Sequence, residues 1–172
     1  MDREGFNEYI LKPGFIFFAC EPTMILTVLG ASVAVTFYDR KQKCGGMNHF
    51  IFPWMKPEIQ PTAVYAQPAV VQLLRMFRDS GSSIDNLEAH IIGGGTPEEV
   101  DEEQATIGIN NVEAAVHMLD NYNIPIVGQE VGGRHGRKVL FNTKTGELVI
   151  AKVEKIRKND WYPDLSKPND RR

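Results

Sequence analysis

Cysteine is scarce in this chain, which holds Cys20 in an apolar run and Cys44 in a turn. Two such residues do not make a disulfide framework, so unpaired thiols in a reducing cytoplasm are expected. Long apolar runs are missing too. The longest, over 25–35, is interrupted by Thr27, Gly30 and Ser32 and falls short of a bilayer span. The first residues mix acidic and basic side chains with no apolar stretch behind them, unlike a signal peptide. Direct membrane insertion is therefore not expected. No basic block marks the body of the chain, and its net charge of −3 argues against a nucleic-acid surface. The acidic run over 98–103 has no histidine or paired spacing beside it, so it reads as a solvated face rather than a metal site. No repeat and no second domain stand out, and neither a cofactor nor a metal is expected.

What is present suits one globular domain. At 172 residues, 42% hydrophobic and 24% charged, the chain can bury a proper core. Residues 1–153 carry the periodic pattern, and 154–172 form a charged extension in which Trp161-Tyr162-Pro163 could dock back. Runs rich in Val, Ile, Thr, Phe and Tyr predict strands over 25–29, 33–38, 47–52, 87–92, 124–127, 138–141 and 147–153. Val70, Val71, Leu74 and Phe77 recur at helix spacing over 68–79, and Val112, Ala115, Val116 and Leu119 repeat the pattern further on. Thr96-Pro97-Glu98-Glu99 has the form of a helix cap. Alternating strands and helices of this kind indicate an α/β or α+β fold with a mixed sheet. Trp54 is expected to cover the core rather than to meet a partner.

Two polar residues stand out in the apolar centre of the chain, Ser32 after Gly30 and His49 in the third strand run. A hydroxyl and an imidazole on neighbouring strands can meet as nucleophile and base. Both can equally be hydrogen-bonded structural residues. Gly132-Gly133-Arg134-His135-Gly136-Arg137 reads in two ways as well, as an anion site of backbone N–H groups and guanidinium or as a tight hairpin.

The spelling around these residues resembles the CheD family, the chemoreceptor glutamine deamidases of bacterial and archaeal chemotaxis. That family carries Thr-Thr-x-Leu-Gly-Ser-Cys-Val-Ala-Val, an aspartate after an apolar strand, then Gly-Gly-Met-x-His and a following Pro. Here Thr27, Leu29, Gly30, Val33, Ala34, Val35, Asp39, Gly45, Gly46, Met47, His49 and Pro53 match, with the family's gap between Ser32 and His49. Further on, Ile107, Gly108, Asn111, Gly132, Gly133, Gly136, Arg137, Thr145 and Gly146 also match. The resemblance implies a layered α/β sandwich with helices outside. It also implies cytoplasmic hydrolysis of glutamine side chains in the helical arms of methyl-accepting chemotaxis receptors, and binding to CheC-type phosphatases.

Glu130 stands for the family's aspartate before the second glycine pair, and four further positions depart from the pattern. Ser32 stands where the family has its nucleophilic cysteine, Ala31 where it has serine, Leu26 where it has its catalytic threonine, and Asn110 where it has arginine. Adjacent strand side chains point to opposite faces, so Thr27 is not expected to replace that threonine without a register slip. Three readings follow. The chain is a receptor- and phosphatase-binding protein with weakened or lost amidase activity, or a Ser32–His49 amidase, or an amidase that uses Cys44 as its thiol.

Overall fold

The segments TMILTVL and VAVTFYD form strands, and their β-branched and aromatic side chains are buried on both faces. A computed structural model describes residues 5–96 and 100–157. In it β3 (Thr23–Leu29) and β4 (Val33–Asp39) do not pair with each other. The chain leaves one sheet and enters another between them, through residues 30–32. The first sheet has the order β1–β3–β8–β9, with β1 (Asn7–Ile10), β8 (Gly136–Asn142) and β9 (Leu148–Val153). The second has the order β2–β5–β4–β6–β7, with β2 (Ile16–Ala19), β5 (Cys44–Asn48), β6 (Leu87–Gly93) and β7 (Ile126–Val131). Each sheet contains one parallel pair, β1–β3 and β6–β7, among antiparallel ones. The expected mixed-sheet sandwich is thus an α+β fold built on two sheets.

Alternation along β4 divides the core. Val33, Val35 and Phe37 face α1 (Ala66–Asp79) and α2 (Glu102–Asn121), together with Val70, Leu73, Phe77, Ala115 and Leu119. Ala34 and Tyr38 face the four-stranded sheet, where they meet Ile25, Leu29, Met47, Val139 and Phe141. Both helices therefore lie outside the five-stranded sheet. Strand β5 is squeezed from both sides. A Cβ on Gly45 would lie 2.6 Å from the Thr143 backbone, and one on Gly46 2.8 Å from Leu73. Only glycine admits approaches this close on the two faces.

Two local expectations are corrected here. Helix α2 is capped by Asp101, whose carboxylate accepts the Gln104 N–H at 2.8 Å. The Thr96-Pro97-Glu98-Glu99 cap is not its start, and residues 97–99 lie outside the described residues. The cysteines are also not unpaired, because Cys20 and Cys44 form a disulfide. Strands β2 and β5 run antiparallel with Ala19 opposite Gly45, which sets Cys20 across from Cys44. The inference of a reducing compartment from free thiols falls with that pairing. No helix among the described residues is long and apolar enough to cross a membrane. Of the C-terminal extension, Ile156 packs beside Gly30 and Gly136, while Trp161-Tyr162-Pro163 lies outside the described residues.

Candidate active site

The crossing between sheets leaves Ser32 half-buried, while His49, just past the end of β5, is fully buried. Val33 and Phe50 exchange two backbone hydrogen bonds of 3.0 Å, which fixes the register between the segments carrying the two residues. On its other side the His49 backbone donates to the Phe15 carbonyl at 3.2 Å and accepts from the Gly14 N–H at 2.7 Å. So held, His49 places Nε2 2.8 Å from Ser32 Oγ and Nδ1 2.9 Å from Thr27 Oγ1.

The proton positions follow from the partners. Thr27 has one hydroxyl proton and donates it to the Leu11 carbonyl at 2.8 Å. A carbonyl only accepts, so Thr27 must accept from His49, and Nδ1 carries the ring proton. Nε2 then presents its lone pair to the Ser32 hydroxyl, which donates to it. This is the tautomer in which an imidazole can take the serine proton. The chain of bonds runs inward, from Ser32 through His49 and Thr27 to the Leu11 backbone.

The expectation that Thr27 faces away is therefore overturned. Thr27 lies on the same face as Ile25 and Leu29, the β3 residues that face the second sheet, while Leu26 falls on the opposite face. No register slip is needed, because the facing sheet brings His49 to that side. Cys44 is corrected too. It is joined to Cys20 and sits in the helix-side core, so it offers no thiol to His49.

Electrostatics set a limit on this arrangement. Burial pushes the His49 pKa down to about 3. Thr27 orients the ring but brings no negative charge to stabilise an imidazolium. His49 is thus neutral at physiological pH and correctly oriented, yet a weak base.

The loop that carries Ser32 is pinned by its carbonyls. Gly95 N–H donates to Gly30 at 2.9 Å, Gly94 N–H to Ser32 at 2.9 Å, and Asn111 Nδ2 to Ala31 at 2.9 Å. The peptides are trans, so each N–H points opposite the preceding carbonyl. The Ala31 and Ser32 N–H groups therefore point away from Gly95 and Asn111, and among the described residues neither meets an acceptor. Two such donors beside a nucleophile can stabilise the oxyanion of an attacked amide. Phe15, Trp54 and Ile109 are each more than half exposed. Trp54 does not cover the core as expected, but sets its ring against that of His117 at 6.1 Å.

The glycine–arginine turn is not the expected hairpin, because it carries the chain from β7 in the second sheet to β8 in the first. Arg137 is buried and donates to the His135 and Gly132 carbonyls and to the Glu130 carboxylate. Those bonds commit the two terminal nitrogens of its guanidinium within the protein rather than to a bound anion. Sequence reasoning also gave no role to Asn111 or to the Leu11 carbonyl. The signal for Asn111 was available, since it is a polar residue in line with the buried stripe of α2. A backbone carbonyl leaves no such mark.

Comparison with known proteins gives one consistent result. A family model described as CheD chemotactic sensory transduction matches residues 54–152. A Trichlorobacter lovleyi protein named as a probable chemoreceptor glutamine deamidase is 34% identical over 88% of this chain and 94% of its own. A protein of the same description from Anaeromyxobacter dehalogenans is 36% identical, over 87% of this chain and 86% of its own. The Thermotoga maritima chemoreceptor glutamine deamidase is 34% identical over 77% of this chain and 83% of its own. Among solved structures, a Neisseria meningitidis protein overlaps 75% of this chain and 63% of its own. Its TM-score is 0.39 and its identity 10%, too distant to carry weight.

Proposed function

The chain belongs to the CheD family, and on that premise we propose that it is a chemotaxis protein that engages glutamine-bearing cytoplasmic helices of chemoreceptors. We propose further that it hydrolyses those glutamine side chains only slowly, and that a CheC-type phosphatase is its second partner. One observation carries the reading. Ser32, His49 and Thr27 are assembled at 2.8 Å and 2.9 Å with the tautomer that hydrolysis needs.

In the reaction, Ser32 Oγ attacks the side-chain amide carbon as its proton passes to His49 Nε2. The Ala31 and Ser32 N–H groups receive the charge that develops on the amide oxygen. His49 then returns the proton to the nitrogen, ammonia leaves, and an ester on Ser32 remains. Water, activated by the same imidazole, cleaves that ester to give glutamate and restore the serine.

The rate is limited by two features of the site. A serine hydroxyl is far less acidic than a thiol, so its proton must be removed during attack. The base that removes it is the buried imidazole whose pKa lies at about 3. Burial alone makes forming the imidazolium cost about 5 kcal/mol more than for a free imidazole. Binding to a receptor or phosphatase needs none of this chemistry.

The test incubates a receptor cytoplasmic fragment with the wild-type protein and with Ser32→Ala, and measures binding and glutamine-to-glutamate conversion by mass spectrometry. Binding by both proteins is expected, with slow conversion by the wild type alone. Failure of the wild type to bind, or conversion that survives in Ser32→Ala, contradicts the proposal.

A further inference from the structure

Helix α2 buries Gly108, Ala114, Ala115, Met118 and Leu119, and Asn111 lies among them with no exposure. Asparagine is a poor residue for a helix interior, and a buried amide must find partners. Asn111 uses both protons of Nδ2, one on the Ala31 carbonyl at 2.9 Å and one on the Ile51 carbonyl at 2.8 Å. Ala31 immediately precedes Ser32, and Ile51 lies two residues beyond His49. A single amide group thus spans the two segments that carry the relay.

The rest of that amide explains little in terms of stability. Oδ1 is buried and has no hydrogen-bond partner among the described residues, which is a net cost to folding. Turning the amide over would set Oδ1 against two carbonyl oxygens, so its orientation is forced. An apolar side chain would fill the position without the orphan oxygen. Polar groups kept against such a cost are characteristic of functional sites. The helix is also brought close at this point. One turn earlier, a Cβ on Gly108 would lie 2.6 Å from the Gly94 carbonyl and 2.8 Å from that of Gly95. Gly94 and Gly95 are the residues that hold the Ser32 and Gly30 carbonyls.

We infer that Asn111 is a positioning residue, which clamps the 30–32 loop to the segment after His49 and so holds Ser32 Oγ on Nε2 and the Ala31 and Ser32 N–H groups toward the substrate. The inference rests on the Ser32–His49 relay proposed above, and its test does not depend on activity. Without the clamp the Ala31 peptide can turn, and both the hydroxyl and the two N–H donors lose their aim.

The test is the 15N resonance of His49 Nε2 in protein labelled at histidine. The wild-type value reports a ring nitrogen accepting from Ser32, and Ser32→Ala supplies the value without that donor. Asn111→Ala is expected to move Nε2 most of the way to the Ser32→Ala value, with the Nδ1 proton retained through Thr27. Val116→Ala, which loosens α2 packing without touching the loop, is expected to leave Nε2 at the wild-type value. An unmoved Nε2 in Asn111→Ala overturns the inference. If Ser32→Ala itself leaves Nε2 unchanged, the relay has failed rather than the clamp. Should Asn111→Ala not fold, Asn111→Ser is read in the same way. In the wild type, the Asn111 Nδ2 protons must show couplings across hydrogen bonds to the Ala31 and Ile51 carbonyls, and their absence also overturns it.

Discussion

Acid is expected to destabilise this protein through His49. Folded, the ring has a pKa of about 3 because burial opposes its charged form, whereas the unfolded value is 6.5. Above the unfolded value the ring is neutral in both states and contributes no pH dependence. Between the two values the unfolded chain binds a proton that the folded protein does not. Stability therefore falls as pH falls, by about 1.4 kcal/mol per pH unit. Two units below the unfolded value the loss is about 3 kcal/mol, a large share of a typical domain's margin. The assay is urea unfolding of the wild type and His49→Gln from about pH 7.5 to about pH 4.5, where the carboxylates that begin to titrate are common to both proteins and cancel in the comparison. The variant removes the titrating group, so its stability should fall less, by the amount just given. Parallel decline of the two proteins, or a His49 ring that titrates near its ordinary value in NMR spectra, refutes the reasoning.

Thr27→Val keeps the side-chain shape but removes the hydroxyl that bonds the Leu11 carbonyl and the His49 Nδ1–H. Each buried group left unmatched costs about 1–3 kcal/mol, so chemical denaturation should show the loss and 15N spectra should show a mixed His49 tautomer. An unchanged midpoint with a single tautomer would count against Thr27 as the orienting residue. Cys20→Ser opens a crosslink between residues 24 apart in sequence. The chain-entropy relation gives about 3.5 kcal/mol for a loop of that size. The stability gap from wild type should close when both proteins are measured under reducing conditions, and a gap that reductant does not change would deny the crosslink.

Much of the architecture was legible because it depends on local periodicity. The helix over 68–79 appears as α1 (Ala66–Asp79), and the strand over 87–92 as β6 (Leu87–Gly93). The Ser32–His49 pair was legible from spelling and spacing, and the structure brings its members to 2.8 Å. What escaped depends on how distant segments meet. Alternation correctly said that Leu26 and Thr27 face opposite ways, but not which face looks toward His49. That is decided by β3 and β5 lying in different, facing sheets. The Cys20–Cys44 disulfide escaped for a related reason, since it depends on the β2–β5 register. Asn111 could have been read as a polar residue in an apolar stripe, but its partners lie 80 and 60 residues away.

Sulfur in place of the Ser32 oxygen changes the nucleophile and leaves Thr27, His49 and Asn111 as they are. The decisive quantity is the rate at which Ser32→Cys converts receptor glutamines to glutamates, divided by the wild-type rate on the same fragment. A thiol gives up its proton far more readily than a hydroxyl, even to a weak base, and should raise it at least ~100-fold. A ratio near unity would mean that the assembled relay does not serve amide hydrolysis.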